Sequence, residues 1–159
     1  HYDRLYRLAR RLAPDADDAQ DIVQETFLRA ARSPRSIPAG ARNEEAWLVR
    51  VLINIRRDQW RKDSVRLRHQ ETASHGARHE ASGGHPEAGL VARAAVWQAL
   101  DVLPPRRRAV VVMHELEELP VSNIASLLGI SVITVRWHLS MGRRDLARAL
   151  KTSGGNNHE

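Results

Sequence analysis

Apolar residues recur every three or four positions along most of the chain, and no segment alternates apolar and polar residues as a half-buried strand does. Proline and glycine mark the breaks between the patterned segments. The pattern predicts an all-α protein with seven helices: one ending before Pro14, one over about 19–30 that stops near Ser33, one over about 44–62, one over 90–102, one opening at Pro104–Pro105 and broken by 117–120, and two short helices split at Gly129.

The helical patterning divides the chain into two parts, 1–63 and 90–151. Between them, residues 64–89 are rich in His, Ser, Gly, Glu and Arg, and the tail 152–159 is polar. A segment of that composition has too little apolar surface to fold alone. We therefore expect two small helical domains joined by a flexible linker.

Composition narrows the class of protein. The 159 residues carry a net charge of +6, and 23 of the 25 basic residues are arginine, a side chain suited to phosphates and base edges. Cysteine is absent, and no apolar run approaches the ~18 residues of a membrane span. We expect a cytoplasmic protein with no membrane insertion. Because the sequence begins with His1 rather than Met, we also expect it to be part of a longer chain.

The spacing of Ala125, Gly129 and Val135 is typical of a helix-turn-helix. The small side chain of Ala125 lets the second helix cross closely over the first, and Gly129 permits the bend between the two helices. Ser131 is placed to cap the second helix. The predicted DNA-binding residues are Ser131, Thr134, Arg136, Trp137, His138, Ser140, Arg143, Arg144 and Arg148. The alternative is an ordinary helical hairpin with a solvated basic face.

Residues 15–25 contain five acidic residues and no basic one. Compensation of the helix dipole accounts for one or two of them. An acidic stripe repels DNA, so we expect it to face a basic protein partner. The candidate binding residues are Asp18, Asp21, Gln24 and Glu25.

The third predicted helix carries one polar stripe, formed by Arg50, Asn54, Arg57 and Arg61, with Trp47 beside it. Arginines interleaved with an amide and an aromatic ring bind phosphates and stack on unpaired bases. A solvated arginine face beside a core tryptophan fits these residues equally well.

No catalytic motif is present, so we expect neither an enzyme nor a cofactor. His75 and His79 have helical spacing, but a metal site needs further ligands and an ordered frame. We therefore expect no metal site.

Three segments resemble conserved regions of bacterial sigma factors. Residues 18–27 (DAQDIVQETF) are similar to the second region, and 47–58 (WLVRVLINIRRD) to the promoter-melting helix that follows it. LPPRRR at 103–108, ELEEL at 115–119 and IASLLGISV at 124–132 resemble the fourth region. With only these two regions, the chain resembles an extracytoplasmic-function (ECF, group IV) sigma factor.

The resemblance implies a role for each surface. Asp21, Gln24 and Glu25 match positions that dock on the clamp of the polymerase β′ subunit, and the fourth region meets the β flap. The stripe on the third helix faces the minus-ten element, the loop 33–43 captures a flipped base, and Arg136 reads the minus-thirty-five element. Many relatives are bound by an anti-sigma factor, which is a further candidate partner.

The sequence departs from the family pattern at Val121, Ile133, Trp137 and Ser140–Met141, which affects the promoter sequence that the second domain reads. Two other functions account for part of the sequence only. A stand-alone helix-turn-helix regulator leaves the acidic and arginine stripes without a role. A metal-buffering or interaction protein centred on the linker histidines leaves both domains unexplained.

Overall fold

The computed structural model describes residues 1–71 and 88–154, and within these ranges it contains helices and connecting turns without a strand. The helices are α1 (Tyr2–Leu12), α2 (Ala16–Arg32), α3 (Ala41–Glu71), α4 (Ala88–Asp101), α5 (Pro105–Val111), α6 (Val121–Leu128) and α7 (Val132–Gly154). A short 3-10 turn, Pro34–Ser36, follows α2, and a π-helical turn, Val112–Leu116, extends α5. The all-α prediction is confirmed.

Local chemistry explains several helix ends. The Asp15 side chain accepts a hydrogen bond of 2.8 Å from the Asp18 amide and caps α2. Ser131 Oγ accepts one of 3.1 Å from the Thr134 amide, which confirms the predicted cap of α7. Gly129 has φ +64° and ends α6 in the left-handed conformation, as the predicted bend between the helices requires.

Two helices are longer than their patterns predict. The helix end predicted near residue 62 is wrong, because α3 continues to Glu71 through good helix formers and the exposed side chains of Val65 and Leu67. Likewise α7 is a long helix that runs to Gly154. Of the predicted linker and tail, residues 72–87 and 155–159 lie outside the described residues.

The buried side chains form one continuous hydrophobic cluster that includes residues from both halves of the chain. Leu5, Leu8 and Leu12 of α1 are almost fully buried within it, and each contributes about 1.5–3 kcal/mol by leaving water. In the second half, α7 crosses α5 at Gly142, where a Cβ atom would lie only 2.5 Å from Val111 Cγ2. Glycine is therefore required for this close crossing.

Two arginine side chains cover the end of α1, and one of them joins the two halves. Arg56 Nε, from α3 in the same half, donates to the Leu12 carbonyl oxygen at 2.9 Å, and Arg108 Nε, from the second half, donates to the Arg11 carbonyl oxygen at 2.7 Å. These carbonyls end α1 and lack partners within the helix, so each guanidinium satisfies one of them. Burial lowers the pKa of Arg56, and the positive charge of Arg108 lowers it further.

Glu117 joins the halves a second time. Its side chain, only 9% exposed, accepts hydrogen bonds from Arg4 Nη1 at 2.7 Å and Arg11 Nη1 at 3.1 Å. Arg4 also pairs with Glu45 at 3.0 Å. Burial alone would lower the pKa of Arg4, but these ion pairs outweigh it and raise the pKa. The second half is thus held against α1 by a half-buried ionic network.

In the ranges that the structure describes, no single helix is long and apolar enough to cross a membrane. Helices α6 and α7 pass that test only as a pair, by length and composition, and they are bent by 106° relative to each other.

Candidate polymerase and promoter interfaces

The acidic surface lies on α2. Asp21 and Gln24 are exposed, whereas Asp18 and Glu25 are partly buried. Burial, together with the negative charge of nearby Asp15, raises the pKa of Asp18. Glu25 accepts a hydrogen bond of 2.9 Å from Arg29 on the same helix. Asp21 and Gln24 therefore form the accessible part of the predicted surface, Glu25 is half-buried and paired with Arg29, and Asp18 lies at the buried edge.

A cleft of about 320 Å³ opens between the end of α2, the 3-10 turn and α3. Two of the predicted minus-ten residues, Trp47 and Asn54, line it together with Val51. Its other lining residues are Arg29, Arg32, Ser33 and Ser36. An indole, an amide and two guanidinium groups around one cleft are groups that can stack on a base, hydrogen-bond to it and contact a phosphate.

The rest of the predicted minus-ten stripe is spread along α3. Arg50 lies against the helix-turn-helix: a Cβ atom at Gly129 would be 2.8 Å from Arg50 Nη1. Arg57 is partly buried, 3.9 Å from Asp58, and Arg61 is exposed one turn further along α3. The structure thus places Trp47 and Asn54 together and Arg50 at the contact between the halves.

The helix-turn-helix consists of α6 and α7. Val135 and Leu139 are buried in the same hydrophobic cluster as Ile124 and Ala125, as the spacing predicted. The opposite face of α7 is open to solvent and is basic. The predicted DNA-binding residues that are exposed on α7 are Arg136, Trp137, Ser140, Arg143, Arg144 and Arg148. Of these, Arg143 pairs with Glu115, which reduces its charge available to a phosphate.

Trp137 is held from two sides. The Arg107 guanidinium lies 5.2 Å from the centre of the Trp137 ring, and Asp145 binds Arg107 at 2.6 Å. The His138 ring packs edge-on at 4.9 Å. Burial, with Arg107 and Arg106 nearby, lowers the pKa of His138, so its neutral form is favoured. His138 supports this surface from below and is only partly accessible.

Two exposed apolar side chains on these surfaces were not among the predicted site residues. Leu28 is 49% exposed one turn after Gln24, and Ile133 is 78% exposed one turn before Trp137. Periodicity alone cannot identify such exposed residues, because an apolar residue on a helix is normally assigned to the core. For Ile133, the departure from the family pattern is the feature of the sequence that marks the position as unusual.

No metal site was expected, and the part of the chain with described side chains contains no group of three or more His, Asp or Glu residues placed to hold an ion. His75 and His79 lie outside the described residues.

The family model for sigma-70 region 2 matches residues 1–66, and the model for sigma-70 region 4 matches residues 93–146. The sigma-E factor of Streptomyces coelicolor is 35% identical over 159 aligned positions, which cover 94% of this chain and 86% of that protein. SigL of Mycobacterium tuberculosis, an ECF RNA polymerase sigma factor, is 34% identical, with 97% and 86% covered. This chain belongs to the ECF sigma factor family. The predicted resemblance is confirmed, and matches to both regions do not favour a stand-alone helix-turn-helix regulator.

Other relatives of this sigma factor agree. SigE of Mycolicibacterium smegmatis is 37% identical over 92% of this chain, and the chain spans 57% of that protein's length. Among solved structures, RpoE of Bartonella quintana bound to the anti-sigma factor NepR has a TM-score of 0.63 at 24% identity, with 94% of this chain and 91% of that chain covered. CnrH bound to the cytosolic domain of CnrY has a TM-score of 0.60 at 24% identity, with 96% and 83% covered. These two structures support the fold.

Proposed function

We propose that this sigma factor binds core RNA polymerase through α2, opens the promoter through the α3 cleft and reads the minus-thirty-five element through α7. It acts in the cytoplasm, where polymerase and DNA meet, as a transcription initiation factor and not as an enzyme. The observation that carries the proposal is the separation of charge: the acidic face of α2 and the basic face of α7 belong to different helices in different halves. Each surface therefore has its own macromolecular partner.

The polymerase-binding surface consists of Asp21, Gln24 and Glu25, with Asp18 at its edge. Asp21 is exposed and Glu25 is half-buried on the same helix face, and an acidic face of this kind suits a basic coiled coil such as the β′ clamp. The double variant Asp21→Arg/Glu25→Arg should lose core-polymerase binding in a pull-down while keeping its helical circular dichroism spectrum. Asp3→Arg/Glu118→Arg makes the same change of charge elsewhere and serves as the control. Wild-type capture by the α2 variant would contradict the assignment. Region 4 meets the β flap in this scheme.

The promoter-opening surface is the cleft containing Trp47 and Asn54. Its loop corresponds to the segment that captures a flipped base in the family, and the cleft volume suits one base. Asn54→Ala should reduce run-off transcription from duplex promoters far more than from pre-melted ones. Arg57→Ala and Arg61→Ala should act in the same direction with smaller effects. An equal loss on both templates would contradict a role in opening.

The minus-thirty-five surface is the exposed face of α7. Arg136 lies in the first turns of the helix, where a recognition helix meets base edges, and a bidentate contact to guanine gives about 1–3 kcal/mol of discrimination. Arg144 and Arg148 lie further along and suit phosphates. Arg136→Ala should flatten the preference among singly mutated duplexes at fixed salt, whereas Arg148→Ala should weaken all of them alike. A uniform loss for Arg136→Ala would make it a phosphate contact.

An anti-sigma factor is a further proposed partner, because one related fold, RpoE of Bartonella quintana, was solved in complex with such a protein. Run-off transcription with purified core polymerase tests the function as a whole. Promoter-specific transcripts are expected only when this protein is added.

A further inference from the structure

The first turns of α7 present an apolar pair, Ile133 and Trp137, at the centre of the face that is exposed. Their side chains are 78% and 52% exposed. They are four residues apart, so they lie on one stripe with Ser140 and Arg144. Val135 and Leu139, on the opposite side, are buried. Arg136 lies at the edge of the stripe rather than on it, given 100° of rotation per residue.

Positive charge flanks this apolar pair along the helix. Arg136 is exposed next to Trp137, Arg107 lies over one side of the Trp137 ring, and Arg144 is exposed two turns further along. A basic rim makes a purely apolar protein partner unfavourable and attracts a polyanion. Within duplex DNA, the apolar group that a recognition helix can reach is the C5-methyl group of thymine in the major groove.

The tryptophan side chain is also fixed in place. Arg107 over the ring is anchored by Asp145 at 2.6 Å, and His138 packs edge-on at 4.9 Å. A ring whose rotamer is already restricted by packing contacts loses little side-chain entropy on binding. Trp137 is therefore a preformed contact surface, unlike the flexible arginines beside it.

We propose that Ile133 and Trp137 read thymine methyl groups in the minus-thirty-five element. Four helical residues span about 6 Å, and successive base pairs are about 3.4 Å apart, so the two side chains contact thymines one or two base pairs from each other. The proposal rests on the assignment of α7 as the minus-thirty-five reader. It adds specificity for A·T pairs to the guanine contact assigned to Arg136.

The test uses the full chain assembled with core polymerase, selecting from duplexes with a randomised upstream element. The enriched duplex is then remade with deoxyuridine in place of single thymines, which removes only the methyl group. We expect two enriched thymines within three base pairs, and a loss of about threefold to fivefold in affinity for each replacement, the effect of one buried methyl group.

Variants assign the effect to its residue. Ile133→Ala should bind thymine and deoxyuridine duplexes equally at one of the two positions, and Trp137→Ala at the other. Arg148→Ala, which alters a phosphate contact, should keep the full methyl dependence. Enrichment of sequences without deoxyuridine-sensitive thymines would overturn this inference and leave the sigma assignment intact. No enrichment of any sequence would overturn both.

Discussion

Glu117→Gln tests the ionic contact that holds the second half of the chain against α1. Hydrogen bonds to a charged group contribute about 1.5–3 kcal/mol each, and Glu117 accepts two of them. Glutamine keeps one acceptor oxygen, and Arg4 and Arg11, 28% and 31% exposed, regain water. The expected net loss is therefore about 2 kcal/mol, near the lower end of that range. A loss of this size lowers the ratio of packed to separated halves roughly thirtyfold.

The chain contains no cysteine, so two spin labels can be placed without removing native residues. Exposed Ala31 and Ala147, one in each half, are suitable sites for cysteine. Distances between the two labels are then measured by pulsed dipolar spectroscopy through a urea titration. The population with separated halves, seen as long distances, should appear at a lower urea concentration in Glu117→Gln than in the labelled protein that keeps Glu117, called here the background.

Glu118→Gln is the matched control, because it makes the same chemical change at the neighbouring, exposed residue. Its titration should follow that of the background. If the curves of Glu117→Gln and Glu118→Gln superimpose, the ion pairs with Arg4 and Arg11 contribute nothing to the packing of the halves, and the reasoning fails.

Three further predictions concern the second half. Glu118 has φ +53°, in the left-handed region that favours glycine, at a helix end where the Leu119 amide donates to the Met113 carbonyl oxygen. Glu118→Gly should therefore raise the free energy of unfolding, measured in urea, by about 1 kcal/mol. The pKa of His138 is lower in the folded chain than in the unfolded chain, so the unfolded chain binds a proton at a higher pH. The free energy of unfolding should therefore fall as the pH drops below about 6.5, and His138→Gln should flatten this pH dependence. Gly142→Ala should cost about 1–3 kcal/mol, and combining it with Val111→Ala should cost less than the sum of the two.

The helices and the helix-turn-helix could be predicted because their signals are local. Ser131 caps the helix that it precedes, Gly129 adopts the left-handed conformation, and Val135 faces inward at the expected spacing. Each of these depends on residues within one or two turns. The extension of α3 through Val65 has no such local signal, because a few apolar residues without a regular period resemble a linker.

The arrangement of the site depends on long-range contacts that no periodicity encodes. Arg50 belongs by spacing to the polar stripe of α3, yet its guanidinium lies beside Gly129, 79 positions away in the sequence. Arg107 and Trp137 come together only because α5 crosses α7. Glu117 likewise finds Arg4 across the chain. Sequence patterns identify the face of a helix, and packing then decides which residues on that face stay accessible.

In the proposed promoter complex, the close crossing of α5 and α7 at Gly142 would act as a pivot for DNA reading. Ile133 lies nine residues before this point, a lever arm of about 13 Å. A tilt of roughly 5° at the pivot would displace the tip of the helix by about 1 Å, enough to spoil a bidentate hydrogen bond to a base. The direction of the proposed recognition helix would thus be set by the absence of a side chain at Gly142, far from any base edge. Relatives with a larger residue at this position would have to point their reading helix in a different direction.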